Sequence, residues 1–278
     1  MSAEVERSRL QVGGTSARLL QAGPAGSAEA VVFVHGNPGS ADDWAGLAAA
    51  AAAGAGRRAV AVDLPDFGET IAPQGFEHTV AGYATFLGEA IERLEIEQVH
   101  LVLHDFGGPI GLVWAMGHPQ AIASVTLIDT GLLPGYRWHR LARIWRTPVL
   151  GELFQATATR RAFRFLLNRN EPHGLPRDFV ETMYDHYDRR TRRAVLALYR
   201  DTDDPGGMSQ SLIGLFAERD LPALVIWGEH DAYLPASFAA RQREAFPSAE
   251  VHVLPASGHW PFADAAETVE RLLVEFLR

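Results

Sequence analysis

The 278-residue chain contains no cysteine and no lysine. The first absence excludes disulfides, a thiol nucleophile and any Cys-ligated metal. The second excludes a Schiff-base lysine and a phosphate-loop lysine, so all 25 basic residues are arginines. No run of about 18 apolar residues occurs, which argues against a membrane span. The opening residues Met1–Leu10 lack the apolar stretch of a signal peptide, and the expected compartment is the cytoplasm.

Hydrophobic residues make up 47% of the chain, enough to bury a sizeable core, and charged residues make up 21%. The net charge of −9 disfavours nucleic acid as a partner. That charge is unevenly spread. Residues 131–219 hold 15 Arg against 10 acidic residues, a net of +5, whereas the remainder holds 10 Arg against 24 acids, a net of −14. The arginines of 131–219 alternate with acids at helical spacing, as on a solvated helix surface. This segment reads as a unit inserted into the chain around it.

Short apolar runs alternate with helical patterns in the flanking parts. Ser8–Leu20 suggests two weak strands. Ala30–Val34, Ala59–Leu64, Val99–Leu103, Val125–Ile128, Leu224–Trp227 and Val251–Leu254 have the continuous apolar character of buried parallel strands. Helices are expected over Asp42–Ala53, Thr79–Leu94, Gly108–Gly117 and Ala263–Leu277. The alternation predicts an α/β fold with a mostly parallel sheet and helices on both faces. It breaks between Leu132 and Arg219, where Trp138–Trp145, Leu150–Leu167 and Pro176–Tyr199 read as helices. The expected organisation is a core built from residues 1–130 and 220–278, with residues 131–219 as a helical cap.

The segment Leu101-Val-Leu-His-Asp-Phe-Gly-Gly108 runs from a buried strand into a polar residue flanked by small ones, then a helix. That is the layout of a nucleophile elbow, which lifts a reactive side chain off the carboxyl ends of the strands. The side chain here is Asp105; no G-x-S-x-G occurs. Trp227-Gly-Glu-His-Asp231 places an acid after a late strand, and Ser257-Gly-His259 follows the last one. Nucleophile, acid and histidine thus fall in the chain order of a hydrolase triad. Asp129, after the strand Val125–Ile128, is a competing acid, with shaping of the turn into the cap as its alternative role.

These residues resemble the α/β-hydrolases with an aspartate nucleophile, a group that includes epoxide hydrolases and haloalkane dehalogenases. The resemblance covers nearly all of the chain outside the cap. It rests on His35-Gly-Asn-Pro38 with Trp44, Asp63-Leu-Pro-Asp-Phe-Gly68, His104-Asp-Phe-Gly-Gly108, Trp227-Gly-Glu-His-Asp231 and Gly258-His259. It implies an α/β-hydrolase fold with no cofactor and no metal. A carboxylate is already ionised and can displace a leaving group at saturated carbon, forming an alkyl ester of Asp105. His259, oriented by Asp231, then activates water to hydrolyse that ester. The resemblance supplies the backbone N–H groups of Asn37 and Phe106 as oxyanion donors.

The leaving group separates the members. Haloalkane dehalogenases hold halide with a side chain like that of Asn37 and with an indole directly after the nucleophile, where this chain has Phe106, a ring without a donor. Epoxide hydrolases protonate the opened oxygen with a tyrosine pair, or with histidine and tyrosine, from the cap. Leu198-Tyr199-Arg200-Asp201 resembles their Tyr-Arg element and nominates Tyr199; Tyr184 and Tyr187 precede it. The other donor is Tyr136 or His139, and His139 is preferred. Fluoroacetate dehalogenases grip a carboxylate with arginines where this chain has Phe106 and Pro109, so an acidic substrate is not expected. Trp44, Phe106, Trp138, Trp145 and Trp260 suit an apolar one.

The leading expectation is an epoxide hydrolase that acts on a small apolar epoxide with water. Next comes a haloalkane dehalogenase using the same triad with Asn37 as halide ligand. A third, of another class, is a silent hydrolase fold used for binding. No membrane or nucleic-acid partner is expected, and a homodimer is left open.

Overall fold

The computed structural model describes residues 3–169 and 171–278. The core elements that precede the insertion are β1 (Val5–Val12), β2 (Thr15–Ala22), β3 (Glu29–Val34), α1 (Ala45–Ala55), β4 (Arg58–Val62), α2 (Val80–Arg93), β5 (Gln98–His104), α3 (Gly107–Gly117) and β6 (Ile122–Ile128). The helices α4 (Arg140–Arg146), α5 (Leu150–Ala156), α6 (Arg160–Asn168), α7 (Arg177–Asp185), α8 (Arg189–Asp201) and α9 (Pro205–Ala217) follow. The chain ends with β7 (Ala223–Gly228), α10 (Ser237–Arg241), β8 (Glu250–Leu254), α11 (Pro261–Asp264) and α12 (Ala266–Leu277). No described helix is long and apolar enough to cross a membrane.

The strands form one sheet in the order β1-β2-β4-β3-β5-β6-β7-β8. The pairs β1–β2 and β2–β4 are antiparallel and the rest are parallel. The apolar runs read from the sequence became the parallel strands because helices cover both of their faces: every residue of β4 and β7 is buried. The chain steps from β3 through α1 to β4 in one direction and from β5 through α3 to β6 in the other. Right-handed crossovers therefore put α1 and α3 on opposite faces. Helix α1 packs with α12, and α2 packs with α3. The two weak strands are a hairpin closed by Gly13 and Gly14, both at positive φ, as a two-residue turn of the favoured hand requires.

Residues 131–219 hold the helices α4 to α9 and no strand among the described residues. Two stretches read as single helices are each broken in two. Thr159 caps α6 by accepting from the Ala162 N–H, and Asp188 caps α8 by accepting from the Arg190 and Thr191 N–H groups. These short side chains compete for backbone donors and end the preceding helix. Helix α9 was not expected. Its start signals, Asp204 as cap and Pro205 in the first turn, were hidden by the Gly-Gly pair that follows. Phe216 of α9 meets Phe246 at 5.4 Å between ring centres, which ties this helix to the core.

Arginines are struts in the segment. Arg200 holds Glu152 of α5 with two hydrogen bonds and donates to the Trp145 carbonyl of α4. Thr191 of α8 reaches the Asp66 carbonyl in the core at 2.8 Å.

The crossing of β5 into α3 admits no side chain at Gly107. A Cβ there would lie 2.1 Å from the Val34 carbonyl oxygen, which is backbone at the centre of the sheet and cannot yield. Gly107→Ala is expected to cost about 3 kcal/mol or more, seen as a fall in Tm. Gly117→Ala, at the exposed end of α3 with nothing within 4 Å of the added Cβ, should leave Tm nearly unchanged or raise it slightly. Equal Tm values for the two variants would contradict the close packing at the elbow.

Candidate active site

Asp105 sits between β5 and α3 with φ of 47°, in the left-handed region that aspartate tolerates better than most residues. The turn needs small neighbours on every side. A Cβ on Gly36 would fall 2.3 Å from the Asp105 Cβ, and one on Gly108 would fall 1.9 Å from Thr130 Oγ1. That threonine hydroxyl donates to the Asp105 carbonyl at 2.6 Å. The adjoining loop is held by His35, whose Nε2 accepts from the Leu64 N–H at 3.0 Å and whose Nδ1 lies 3.0 Å from the Gly36 carbonyl. The Asn37 N–H then donates to Asp105 Oδ1 at 2.7 Å. The second donor named from the sequence, the Phe106 N–H, has no partner among the described residues.

His259 lies between two carboxylates. Its Nδ1 is 2.7 Å from Asp231 Oδ2 and its Nε2 is 3.5 Å from Asp105 Oδ2. Asp231 Oδ1 accepts from the N–H groups of Tyr233 and Leu234, which aims the other oxygen at the imidazole. Burial opposes a charged His259, but the Asp231 and Asp105 carboxylates outweigh it and hold the ring well above the usual histidine range. Burial likewise pushes Asp105 up, but the hydrogen bond and charge of His259 keep it below its ordinary value. Asp129, the competing acid, is fully buried. Its Oδ1 accepts from the Gly228 N–H at 3.0 Å, and its Oδ2 has no partner among the described residues. Burial and the neighbouring Asp231 charge raise Asp129 well above the ordinary carboxylate value, which favours its protonated form.

Above Asp105 lies a cavity of about 200 Å³. Tyr199, His139, Tyr233, Trp145 and Trp260 share it with Asp105 and His259. Burial and the Asp105 charge raise Tyr199 well above the usual phenol range, so its hydroxyl is a donor, and the Asn37 side chain lies beside it. His139 caps α4: its Nδ1 accepts from the Ala142 N–H at 3.2 Å. Burial lowers its pKa to about 4, so the ring is neutral and its single proton sits on Nε2 as a donor. Tyr136 does not line this cavity, and its hydroxyl donates to the Tyr233 carbonyl at 3.1 Å. Of the expected aromatics, Trp145 and Trp260 line the cavity. Trp44 packs on Phe33 and Phe262, while Phe106 packs between Trp138 and Tyr199, behind the lining.

Three residues of this site escaped the sequence reading. Tyr233, two positions after Asp231, presents a third phenol, its ring 4.9 Å from that of His259. His104, pushed to about 3 by burial and the His259 charge, donates from Nε2 to the His259 carbonyl at 2.8 Å. Glu171, between α6 and α7, accepts from the His259 N–H at 3.1 Å. Tyr233 carried a local signal in its place after the Asp231 motif and His104 in its place directly before Asp105, but the contacts of His104 and Glu171 with His259 join distant parts of the chain.

Residues 29–266 match the family model described as alpha/beta hydrolase fold, and the chain belongs to that family. Its relatives include the dihydrolipoyllysine-residue acetyltransferase component of the acetoin cleaving system of Pseudomonas putida. The two are 32% identical over 97% of this chain and 69% of that protein. A 2-hydroxy-6-oxononadienedioate/2-hydroxy-6-oxononatrienedioate hydrolase of Burkholderia vietnamiensis (strain G4 / LMG 22486) is 27% identical over 90% of this chain and 87% of its own. Among solved structures, a haloalkane dehalogenase from Bradyrhizobium elkani USDA94 superposes with a TM-score of 0.84 at 21% identity, over 99% of this chain and 98% of that one. An epoxide hydrolase from Vigna radiata gives 0.79 at 20% identity, with coverages of 99% and 98%. At such identities the structural likeness establishes the fold alone.

Glu171 offers a pH test of this geometry. Burial and the nearby Asp264 carboxylate raise it from 4.5 to about 8. Between those values the folded chain keeps a proton that the unfolded chain has released. Stability from this group therefore falls as pH rises through that window and levels off above it. Glu171→Gln keeps an acceptor for the His259 N–H and does not titrate. The Tm of that variant relative to the parent should climb steadily from pH 5 to pH 8. A difference independent of pH would mean that Glu171 is ionised in the folded protein throughout.

Proposed function

We propose that the protein is an epoxide hydrolase that opens a small apolar epoxide to a vicinal diol, with residues 131–219 forming the lid over the site. The observation that carries this reading is a pair of neutral donors, the Tyr199 hydroxyl and His139 Nε2–H, lining the same apolar cavity as the ionised Asp105. An epoxide oxygen stays attached to the substrate and becomes a strongly basic alkoxide as the ring opens. Donors that are still protonated at neutral pH are what that charge requires.

In this mechanism Asp105 Oδ2 attacks a ring carbon and the C–O bond breaks. The alkoxide takes a proton from Tyr199, with the His139 Nε2–H hydrogen-bonded to it, leaving a hydroxyalkyl ester and a Tyr199 phenolate. Esterification removes the Asp105 charge from beside His259. The imidazole loses one of the two anions that kept it protonated, its pKa falls, and its proton passes to the Tyr199 phenolate, which restores the phenol and leaves His259 competent as a base. His259 then takes a proton from water as that water attacks Cγ of Asp105. The oxyanion forms on Oδ1, where the Asn37 N–H already sits. Collapse releases the diol, whose leaving oxygen takes the proton back from His259, and the regenerated Asp105 carboxyl then gives its proton to His259, restoring the resting ion pair. Asp231 keeps its hydrogen bond to Nδ1 and holds the ring in register.

A second reading, haloalkane dehalogenation, is favoured by one set of groups. The Asn37 amide and the indole N–H groups of Trp145 and Trp260 are buried without partners among the described residues, and all three residues line the cavity. They would suit a halide. Hydrolysis of a dianionic acid such as a nonadienedioate has less support, because the cavity lining contains no arginine among the described residues.

Asp105→Ala should abolish turnover, since no other carboxylate occupies the elbow; substantial residual activity would sink the covalent route. His259→Gln should block ester hydrolysis, so intact-mass spectrometry after incubation with styrene oxide should show an adduct of the whole epoxide mass. The same variant with 1-bromobutane, giving an adduct that lacks bromine together with free bromide, would favour the dehalogenase.

Tyr199→Phe removes the donor and keeps the ring. The alkylation rate on epoxides should fall about a hundredfold, measured by single-turnover kinetics. An unchanged rate, together with efficient bromide release by the parent, would replace the epoxide reading with the dehalogenase one.

A further inference from the structure

The cavity above Asp105 has a second polar end. Gln155, near the end of α5, lines it and is only 4% exposed. Gln155 Oε1 accepts from the Tyr187 hydroxyl at 2.9 Å. Burial raises Tyr187 above the usual phenol range, so that hydroxyl stays protonated and keeps the Gln155 oxygen engaged. Gln155 Nε2 has no partner among the described residues. A buried amide N–H without an acceptor is costly and uncommon, and points to an acceptor that arrives with a ligand.

The surroundings hold this amide rigidly. Arg192 of α8 donates to the main-chain carbonyls of Gln155 at 2.6 Å and Ala158 at 2.9 Å, which fixes the backbone that carries the amide. Its guanidinium also lies over the Tyr187 ring, 5.4 Å from the centre. The lining around these groups is largely apolar and includes Phe154, Ala162, Phe163 and Leu166. Among the described residues no arginine lines the cavity, and Arg192 beside it spends its donors on the Tyr187, Gln155 and Ala158 main-chain carbonyls, so the matching acceptor is neutral. Cavities of about 150 Å³ accept benzene, so the space of about 200 Å³ suits a single ring or a short chain between the two ends.

We propose that Gln155 is a specificity-determining contact, donating from Nε2 to a neutral oxygen, a carbonyl or an ether, at the end of the substrate remote from the reacting carbon. The substrate class is thereby narrowed, on the epoxide reading above, to epoxides joined through a short apolar body to such an oxygen. A plain hydrocarbon epoxide fits the cavity but leaves the amide unpaired.

The test compares 7,8-epoxyoctan-2-one with the isostere in which C=CH₂ replaces C=O. For the parent, kcat/KM for the ketone should exceed that for the alkene about tenfold, mostly through KM. Gln155→Met keeps length and removes the donor, and should bring the ratio close to one; Gln155→Leu serves if that variant does not fold. An equal ratio in parent and variant overturns the proposal, as does a parent with no preference, which would mean that water satisfies the amide. If neither epoxide is opened, the epoxide reading fails while the subsite is still measurable. Octan-2-one and 2-methyloct-1-ene, unreactive ligands, would then be compared by thermal shift. A ketone preference lost in Gln155→Met supports the subsite, and its persistence or absence in both proteins overturns it.

Discussion

Keeping Asp105 ionised at the floor of an apolar cavity is the constraint on which the surrounding structure depends. A buried carboxylate is tolerated only where hydrogen bonds and opposite charge replace water. The Asn37 N–H and the His259 ring supply them, and each arrives from a different strand end. Bringing those groups together requires a sharp turn at Asp105, small residues at positions 36, 107 and 108, and a sheet that presents β3, β5 and β8 with their carboxyl ends on one side. The fold is thus organised around one charge and the backbone that stabilises it.

The same economy decides which neighbours are charged. Five ionisable side chains close to the triad are shifted toward their neutral forms: Asp129, His104, His139, Tyr199 and Glu171. Burial is the largest cause in each. The site consequently concentrates charge on the Asp105–His259 pair, and the shifted groups serve as donors, acceptors or fixed dipoles. On the proposed mechanism this makes the two half-reactions sequential. His259 is disarmed as a base while Asp105 is an anion, and armed once Asp105 becomes an ester.

The positive charge of residues 131–219 has a structural use. Arg192 and Arg200 each join separate helices of the segment through main-chain carbonyls, and Arg200 also holds Glu152. Short helices capped by Thr159 and Asp188 cannot stand alone, and multidentate guanidinium groups are suited to joining them. One consequence is the rigid placement of Gln155 at the end of the cavity remote from Asp105.

Periodicity and local motifs were enough for the parallel strands, the elbow at Asp105 and the order of Asp231 and His259. These are properties of contiguous residues: apolar runs buried on both faces, small residues in a tight turn, an acid after a strand. The same local reading merged α5 with α6 and α7 with α8, because a capping side chain acts against the periodicity that surrounds it. It also missed α9, Tyr233, Glu171 and Gln155. Whether a carboxyl is charged, which imidazole nitrogen carries the proton, and whether an amide lacks a partner are set by burial and by groups up to 155 residues away, as in the bond from His104 to His259. Chain order therefore determined the fold class and the expected triad. Tertiary packing alone decided protonation, the presence of His139 but not Tyr136 in the cavity lining, and the unpartnered amide of Gln155, since each depends on a dielectric and a set of neighbours that only the folded chain creates.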